Sequence, residues 1–125
     1  MVAAFASPMS AVNAAIDAQR ALELLVRMGI ATGEAELRDG DYFGTVLNRA
    51  ARVMAAGHGG HVLLAESTAD LLSGLDLLDL GLRRLRDVPT PVGVFQVRAP
   101  GLRADFPPVR RVDSILGICV RRSRA

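Results

Sequence analysis

The residues with the clearest chemical potential are Asp41, Asn48 and Arg52, which fall within one twelve-residue stretch. A carboxylate accepts hydrogen bonds, a carboxamide both donates and accepts them, and a guanidinium pairs with anions. Together these groups could read the edge of a nucleotide base and neutralise charge on phosphate oxygens. A second interpretation stays open on the triplet alone: Asp41 is a turn residue, and Asn48 and Arg52 belong to a solvated helix face.

A helix that begins near Thr45 must position two of these side chains. Apolar residues recur there at steps of three and four, a pattern typical of a helix that buries one face; they are Val46, Leu47, Ala50, Val53 and Met54. Asn48 and Arg52 are four residues apart and lie outside this stripe, so we expect their side chains one turn apart on the helix surface. Asp41 lies just before the helix, on the other side of Gly44.

The flanking segments predict alternating strands and helices. We expect strands at residues 2–5, 25–33, 61–65, 77–85 and 92–98. Ser7 and Pro8 predict the start of a helix that reaches about Leu24, because Ser is a favoured N-cap and Pro a favoured first helical residue. Ser67, followed three residues later by Asp70, predicts the start of a second, short helix.

The two histidines lie near a glycine-rich turn at residues 57–60. A phosphate-binding loop requires a helix directly after its glycines, and a strand is predicted here instead, so we interpret the turn as a helix C-cap. His58 and His61 could act as ligands or bases. No Asp, Glu or Cys stands at metal-ligand spacing from them, which favours a structural role.

Composition narrows the class of protein. The chain has 125 residues, half of them apolar, with a formal net charge of +2, as expected for one domain. No apolar run is long enough to cross a bilayer and no signal peptide is indicated, so we expect a cytoplasmic protein without membrane contact. A single cysteine and two histidines argue against an internal disulfide and against zinc. All fifteen basic residues are arginine.

The motifs resemble the catalytic domain of class III adenylate and guanylate cyclases. Residues 26–34 are similar to the family's strand V-R-x-G-I-x-x-G-E, and residues 79–97 are similar to the end of the domain. The resemblance covers residues 1–98 and implies an α/β fold, an α+β sandwich of ferredoxin-like type. It also implies that Asp41 reads the adenine amino group of ATP, that Asn48 orients the ribose, and that Arg52 stabilises the pentavalent phosphorus during formation of cyclic AMP and pyrophosphate.

The resemblance also implies a missing front. The family's two metal-binding Asp residues and its substrate-binding Lys precede the segment that matches residues 2–5. We therefore expect an N-terminally truncated domain that binds no cofactor and is inactive alone. It would act as a half-site donor in a homodimer or a heterodimer with a full-length cyclase domain whose carboxylates hold Mg²⁺ or Mn²⁺. The alternatives are a non-catalytic interaction or regulatory module and a truncated gene remnant. Without the family's first strand, the strand at 25–33 is expected to lack a neighbour and to promote association.

Residues 99–125 have a different character. From residue 98 onward the chain carries seven arginines against two acidic residues, together with three prolines, so we expect a disordered basic tail. The junction Phe106–Arg110 resembles one found in large bacterial regulators that join a cyclase domain to an ATPase and a LuxR-type DNA-binding module. No aromatic residue follows Phe106 to stack on bases, so nucleic-acid binding is not expected. Residues 115–125 match no pattern that we recognise.

Overall fold

The computed structural model describes residues 2–22, 26–102 and 116–121, with the backbone alone at 2, 37, 38, 41, 42 and 116–121. The elements in chain order are β1 (Val2–Phe5), α1 (Pro8–Ala21), β2 (Met28–Gly33), β3 (Glu36–Arg38), β4 (Asp41–Phe43), α2 (Thr45–Ala55), β5 (Val62–Ala65), α3 (Glu66–Ala69), β6 (Asp76–Arg83), β7 (Val92–Arg98) and β8 (Leu116–Arg121). The predicted α/β class is confirmed.

Six of the strands form one mixed sheet in the order β1-β8-β2-β5-β7-β6. The pairs β1–β8, β8–β2 and β2–β5 are parallel, and β7 pairs antiparallel with both β5 and β6. β3 and β4 form a separate antiparallel hairpin, which leads directly into α2. α2 therefore packs on one face of the sheet, and the hairpin determines where that helix begins.

β8 corrects the prediction of a disordered tail for residues 116–121. This segment lies between β1 and β2 and pairs with both, so the expectation that the strand at 25–33 lacks a neighbour is also wrong. Residues 99–102 are bound to α1, since Arg20 of that helix donates from Nε to the Pro100 carbonyl at 2.9 Å. The junction Phe106–Arg110 lies outside the described residues.

The register of β8 places this segment in parallel pairing with both β1 and β2. Gly117 lies between Val2 and Gly29, and Cys119 lies between Ala4 and Ala31. The alternate positions carry larger apolar residues, with Ile118 beside Ile30.

The two long helices pack on opposite faces of the sheet. α1 contributes Ala11, Val12, Ala15 and Ile16 to a cluster that includes Met28, Ile30, Val62 and Leu64. α2 contributes Val46, Ala50 and Val53 to a second cluster with Ala31, Leu63 and Ala65. Neighbouring residues of β2 and β5 thus enter different clusters, as the period of two along a strand requires.

α2 approaches the sheet very closely, because β2 carries glycine beneath it. A Cβ atom at Gly29 would lie 2.5 Å from the Met54 backbone nitrogen and 2.6 Å from the Ala50 carbonyl oxygen. At Gly33 the nearest atom would be the Val46 Cβ, at 3.1 Å. Both glycines therefore allow the close approach of α2, and the glycine at position 29 is needed for space alone.

Most of the predicted elements occur where the sequence indicates. Ser7 caps α1 by accepting from the Ser10 N–H at 3.1 Å, and Pro8 is the first helical residue. α1 ends at Ala21 rather than near Leu24. The predicted N-cap role of Ser67 is wrong, because Ala65 caps α3 and the Ser67 hydroxyl instead accepts from the Thr32 N–H at 3.3 Å. None of the helices described here is long and apolar enough to span a membrane.

Candidate functional site

α2 presents Asn48 and Arg52 on the side that faces away from the sheet. Val46, Ala50, Val53 and Met54 are buried, whereas Asn48 is exposed and the Arg52 side chain is 34% exposed. Residues four apart on a helix have Cβ atoms about 5–6 Å from each other, so the carboxamide and the guanidinium are neighbours along one face. This placement matches the prediction from the apolar stripe.

The start of α2 is fixed by the hairpin before it. β4 ends at Phe43, Gly44 follows with φ 149°, and the Leu47 N–H donates to the Gly44 carbonyl at 3.2 Å. Asp41 is the first residue of β4, and its backbone pairs with Arg38 in the hairpin. The Asp41 side chain is outside the described part of the chain, so its convergence with Asn48 and Arg52 stays a prediction.

Asp87 is a component of this region that the sequence does not reveal. Arg52 donates from Nη2 to Asp87 Oδ2 at 2.7 Å, across 35 residues of sequence. Asp87 has φ 60°, a left-handed backbone conformation that is uncommon for residues other than glycine. The sequence shows only an aspartate in a turn before Pro89, and nothing local indicates that it reaches a helix elsewhere in the chain.

Two apolar residues hold the Asp87 turn against α2. Leu85 is buried in the same cluster as Val46, Ala50 and Val53, and Val88 packs against that cluster from the edge. The Val88 N–H donates to the Leu85 carbonyl at 3.2 Å, which closes the turn between them. The polar residues of the turn are therefore carried on a segment with two apolar anchors beside the site helix.

The two histidines have a structural arrangement. The His58 N–H donates to His61 Nδ1 at 2.8 Å, their rings lie 5.6 Å apart, and His61 is buried directly before β5. Among the described residues, no group of three or more His, Cys, Asp or Glu side chains could hold a metal ion. The metal ions of the cyclase family therefore have no fitting ligand set in the described part of this chain.

Sequence comparison finds relatives of this chain, one of which is an adenylate cyclase. An uncharacterized protein of Mycobacterium tuberculosis is 41% identical over 120 residues, which are 90% of this chain and 42% of the relative. The receptor-type adenylate cyclase GRESAG 4.3 of Trypanosoma brucei brucei is 40% identical over 90 residues, which are 62% of this chain and 7% of that protein. This chain thus spans less than half the length of these relatives. No family model matches it.

A solved structure agrees with the sequence comparison. Trypanosoma brucei adenylate cyclases in their monomeric state superpose on this chain with a TM-score of 0.53 and 33% sequence identity, over 62% of this chain and 37% of that chain. The predicted fold, that of a class III cyclase domain, is confirmed by this likeness. α2, with Asn48 and Arg52 on its exposed side, is therefore part of a cyclase-like fold.

Proposed function

We propose that this chain supplies the base-reading and phosphate-contacting half of an adenylate cyclase site, which converts ATP to cyclic AMP and pyrophosphate. The observation that supports this most directly is the position of Asn48 and Arg52, one turn apart on the exposed side of a helix that follows a hairpin containing Asp41. Similarity to Trypanosoma brucei adenylate cyclases, in sequence and in fold, supports the same assignment.

Each of the three side chains has a role that follows from its chemistry. The Asp41 carboxylate accepts a hydrogen bond from the adenine amino group, and would repel the O6 acceptor of guanine. The Asn48 carboxamide both donates and accepts, which suits the ribose oxygens. The Arg52 guanidinium stabilises the negative charge that develops on the phosphate oxygens as the 3′-hydroxyl attacks. ATP is therefore the proposed substrate, in preference to GTP.

The proposal requires a second subunit. Divalent ions supply charge neutralisation and activation of the 3′-hydroxyl in cyclase chemistry, and the described residues of this chain do not provide their ligands. The partner is a full-length cyclase domain, whose carboxylates hold Mg²⁺ or Mn²⁺, in the cytoplasm where ATP is abundant. The chain by itself is expected to make no cyclic AMP.

Complementation in a mixed assay tests this function. The partner is a full-length adenylate cyclase that keeps its metal-binding carboxylates but carries Ala at its own equivalent of Arg52, so that it is inactive alone. Addition of the present chain should restore cyclic AMP formation, and Arg52→Ala should lower the restored rate at least about a hundredfold, as expected for removal of one transition-state charge contact.

Arg49→Ala is the matched control for that experiment. Arg49 lies on the same helix, is exposed, and carries the same charge, so its substitution changes the net charge equally without touching the proposed contact. Restored activity should survive this substitution. Failure of every mixture to recover turnover, or equal loss with Arg49→Ala and Arg52→Ala, contradicts the half-site role. GTP in place of ATP should give a lower rate.

A non-catalytic interaction module is the second candidate, and the Arg52–Asp87 ion pair is the observation that favours it. In this function the chain occupies the dimer surface of a cyclase and lowers its activity. The two functions differ in one measurement: inhibition of an intact cyclase by this chain should be unchanged by Arg52→Ala. A place beside the ATPase and DNA-binding modules of LuxR-type regulators stays a prediction.

A further inference from the structure

The cation assigned to the nucleotide phosphates already has an anionic partner. Arg52 Nη2 donates to Asp87 Oδ2 at 2.7 Å, and within the described residues this is the polar contact that Arg52 makes. A carboxylate at this distance occupies one of the five guanidinium N–H donors and offsets the positive charge. A phosphate oxygen that approaches Arg52 would meet the negative charge of Asp87 beside it.

The backbone at Asp87 indicates that its side chain, rather than its conformation, is the useful feature. Asp87 and Asp39 are the described non-glycine residues with positive φ. Glycine adopts such a conformation without steric cost, and Asp tolerates it better than most residues do. A turn alone would be served at least as well by glycine, whereas glycine could not reach Arg52.

Asp87 is an acidic residue in a segment whose other charged residues are arginines. Arg83, Arg84 and Arg86 precede it in the same connection and are exposed, and Arg49 is exposed on the helix that carries Arg52. Within residues 83–88, Asp87 is the only acidic residue. Its removal would therefore leave a segment with arginine as its sole charged residue, beside a helix that also carries arginine. That composition attracts polyphosphates.

We propose that Asp87 masks Arg52, so that nucleotide phosphates must displace this carboxylate before they reach the guanidinium. The inference rests on the proposed function, because it takes Arg52 as a phosphate contact. Exposed ion pairs are weak, so the mask lowers affinity without closing the site, by about two- to fivefold. Asp87 is then a positioning residue that acts through Arg52, and it sets how readily the site accepts an anion.

The chain contains a matched control for this ion pair. Arg98 Nη2 lies 2.7 Å from Asp76 Oδ1, with side chains 43% and 62% exposed, close to the 34% and 68% of Arg52 and Asp87. Asp87→Asn and Asp76→Asn each remove one negative charge. Asn also tolerates the left-handed conformation at position 87, so the fold is kept. The difference between the two variants isolates the effect at Arg52.

Two measurements on the full chain test the mask. Affinity for ATP and for inorganic tripolyphosphate is determined by calorimetry at low salt, and reaction of individual arginines with a dicarbonyl reagent is followed by peptide mass spectrometry. Asp87→Asn should tighten binding two- to fivefold relative to Asp76→Asn, and the gain should vanish when Arg52→Ala is added. Arg52 should react faster in Asp87→Asn, and Arg98 faster in Asp76→Asn.

The outcomes separate this proposal from the proposed function. An unchanged rate of Arg52 modification in Asp87→Asn, or weaker binding of ATP, overturns the mask and leaves the nucleotide site standing. Faster modification of Arg52 with no binding of either anion in any variant confirms the ion pair but overturns the nucleotide site, and the mask with it. Tighter binding that requires Arg52 supports both.

Discussion

The two long helices differ in how they begin, in what they pack against and in what they expose. α1 packs against bulky residues such as Met28 and Ile30, and its first turn is closed by the hydroxyl of Ser7. α2 packs over Gly29 and Ala31, begins at Gly44 without a side-chain cap, and carries Asn48 and Arg52 outward. α1 thus packs on bulky side chains of β2, whereas α2 also comes into backbone contact with β2 at a glycine.

This difference indicates which helix has its position most tightly determined by the fold. Bulky cores tolerate small rearrangements of side chains, whereas a helix backbone in contact with a strand backbone has little freedom to shift. The rotation and height of α2 therefore determine where the Asn48 and Arg52 side chains emerge. Substitutions beneath α2 should affect the site, and substitutions beneath α1 should affect stability alone.

The largest expected effect is that of Gly29→Ala. The added Cβ would lie 2.5 Å from a backbone nitrogen and 2.6 Å from a backbone oxygen of α2, and neither atom can rotate away. We expect a loss of about 3 kcal/mol or more in the free energy of unfolding, measured by urea denaturation. Gly33→Ala is the matched control, because its Cβ would meet the Val46 side chain at 3.1 Å. Equal losses at both positions would contradict the backbone contact.

An intermediate effect is expected for Gly44→Ser. A serine at an N-cap normally stabilises a helix, but here φ is 149° and a Cβ would lie 2.9 Å from the Glu34 carbonyl oxygen. We expect a net loss of about 1–3 kcal/mol instead of a gain. Gly40→Ser separates the two causes, because φ there is 83° and no atom lies within 4 Å of the added Cβ. A stabilised Gly44→Ser protein would show that α2 lacks only a cap.

The smallest effect belongs to the other helix. Ser7→Ala removes the acceptor of the Ser10 N–H and should cost about 1 kcal/mol, measured as a shift of the urea midpoint. Ser7→Thr keeps the hydroxyl and should recover most of the loss. Complementation of a partner cyclase should not change, because α1 lies on the opposite face from Arg52. A loss of complementation would contradict the separation of the two faces.

Local signals in the sequence were sufficient for several elements. Ser7-Pro8 marks the start of α1, the apolar stripe marks α2 from Thr45, and β7 spans Val92–Arg98 as predicted. Each of these depends on residues close together in the chain. The exposed positions of Asn48 and Arg52 follow from the same stripe, while the roles assigned to them and to Asp41 stay predictions.

The features that the sequence did not predict depend on distant contacts. Leu116–Val120 alternates large and small residues, but arginines and prolines around it indicate a solvated tail, and its pairing partners lie more than 80 residues away. Ser67 follows a capping pattern, yet its hydroxyl bonds to β2. Asp87 forms an ion pair with Arg52, which lies on a helix 35 residues earlier in the chain. Secondary-structure propensities depend on neighbouring residues in the sequence, so they cannot predict contacts of this kind.

The position of β8 has a consequence for how the protein is made. β2, β5, β7 and β6 pair within residues 28–98, so this part of the sheet can assemble while the ribosome is still at work. β1 precedes the other described strands in the chain, yet among them it pairs with β8 alone. It must therefore wait for residues 116–121, which inserts a slow, long-range step into folding. Until then, the edges of β1 and β2 that pair with β8 have unpaired backbone groups, which can associate with other nascent chains.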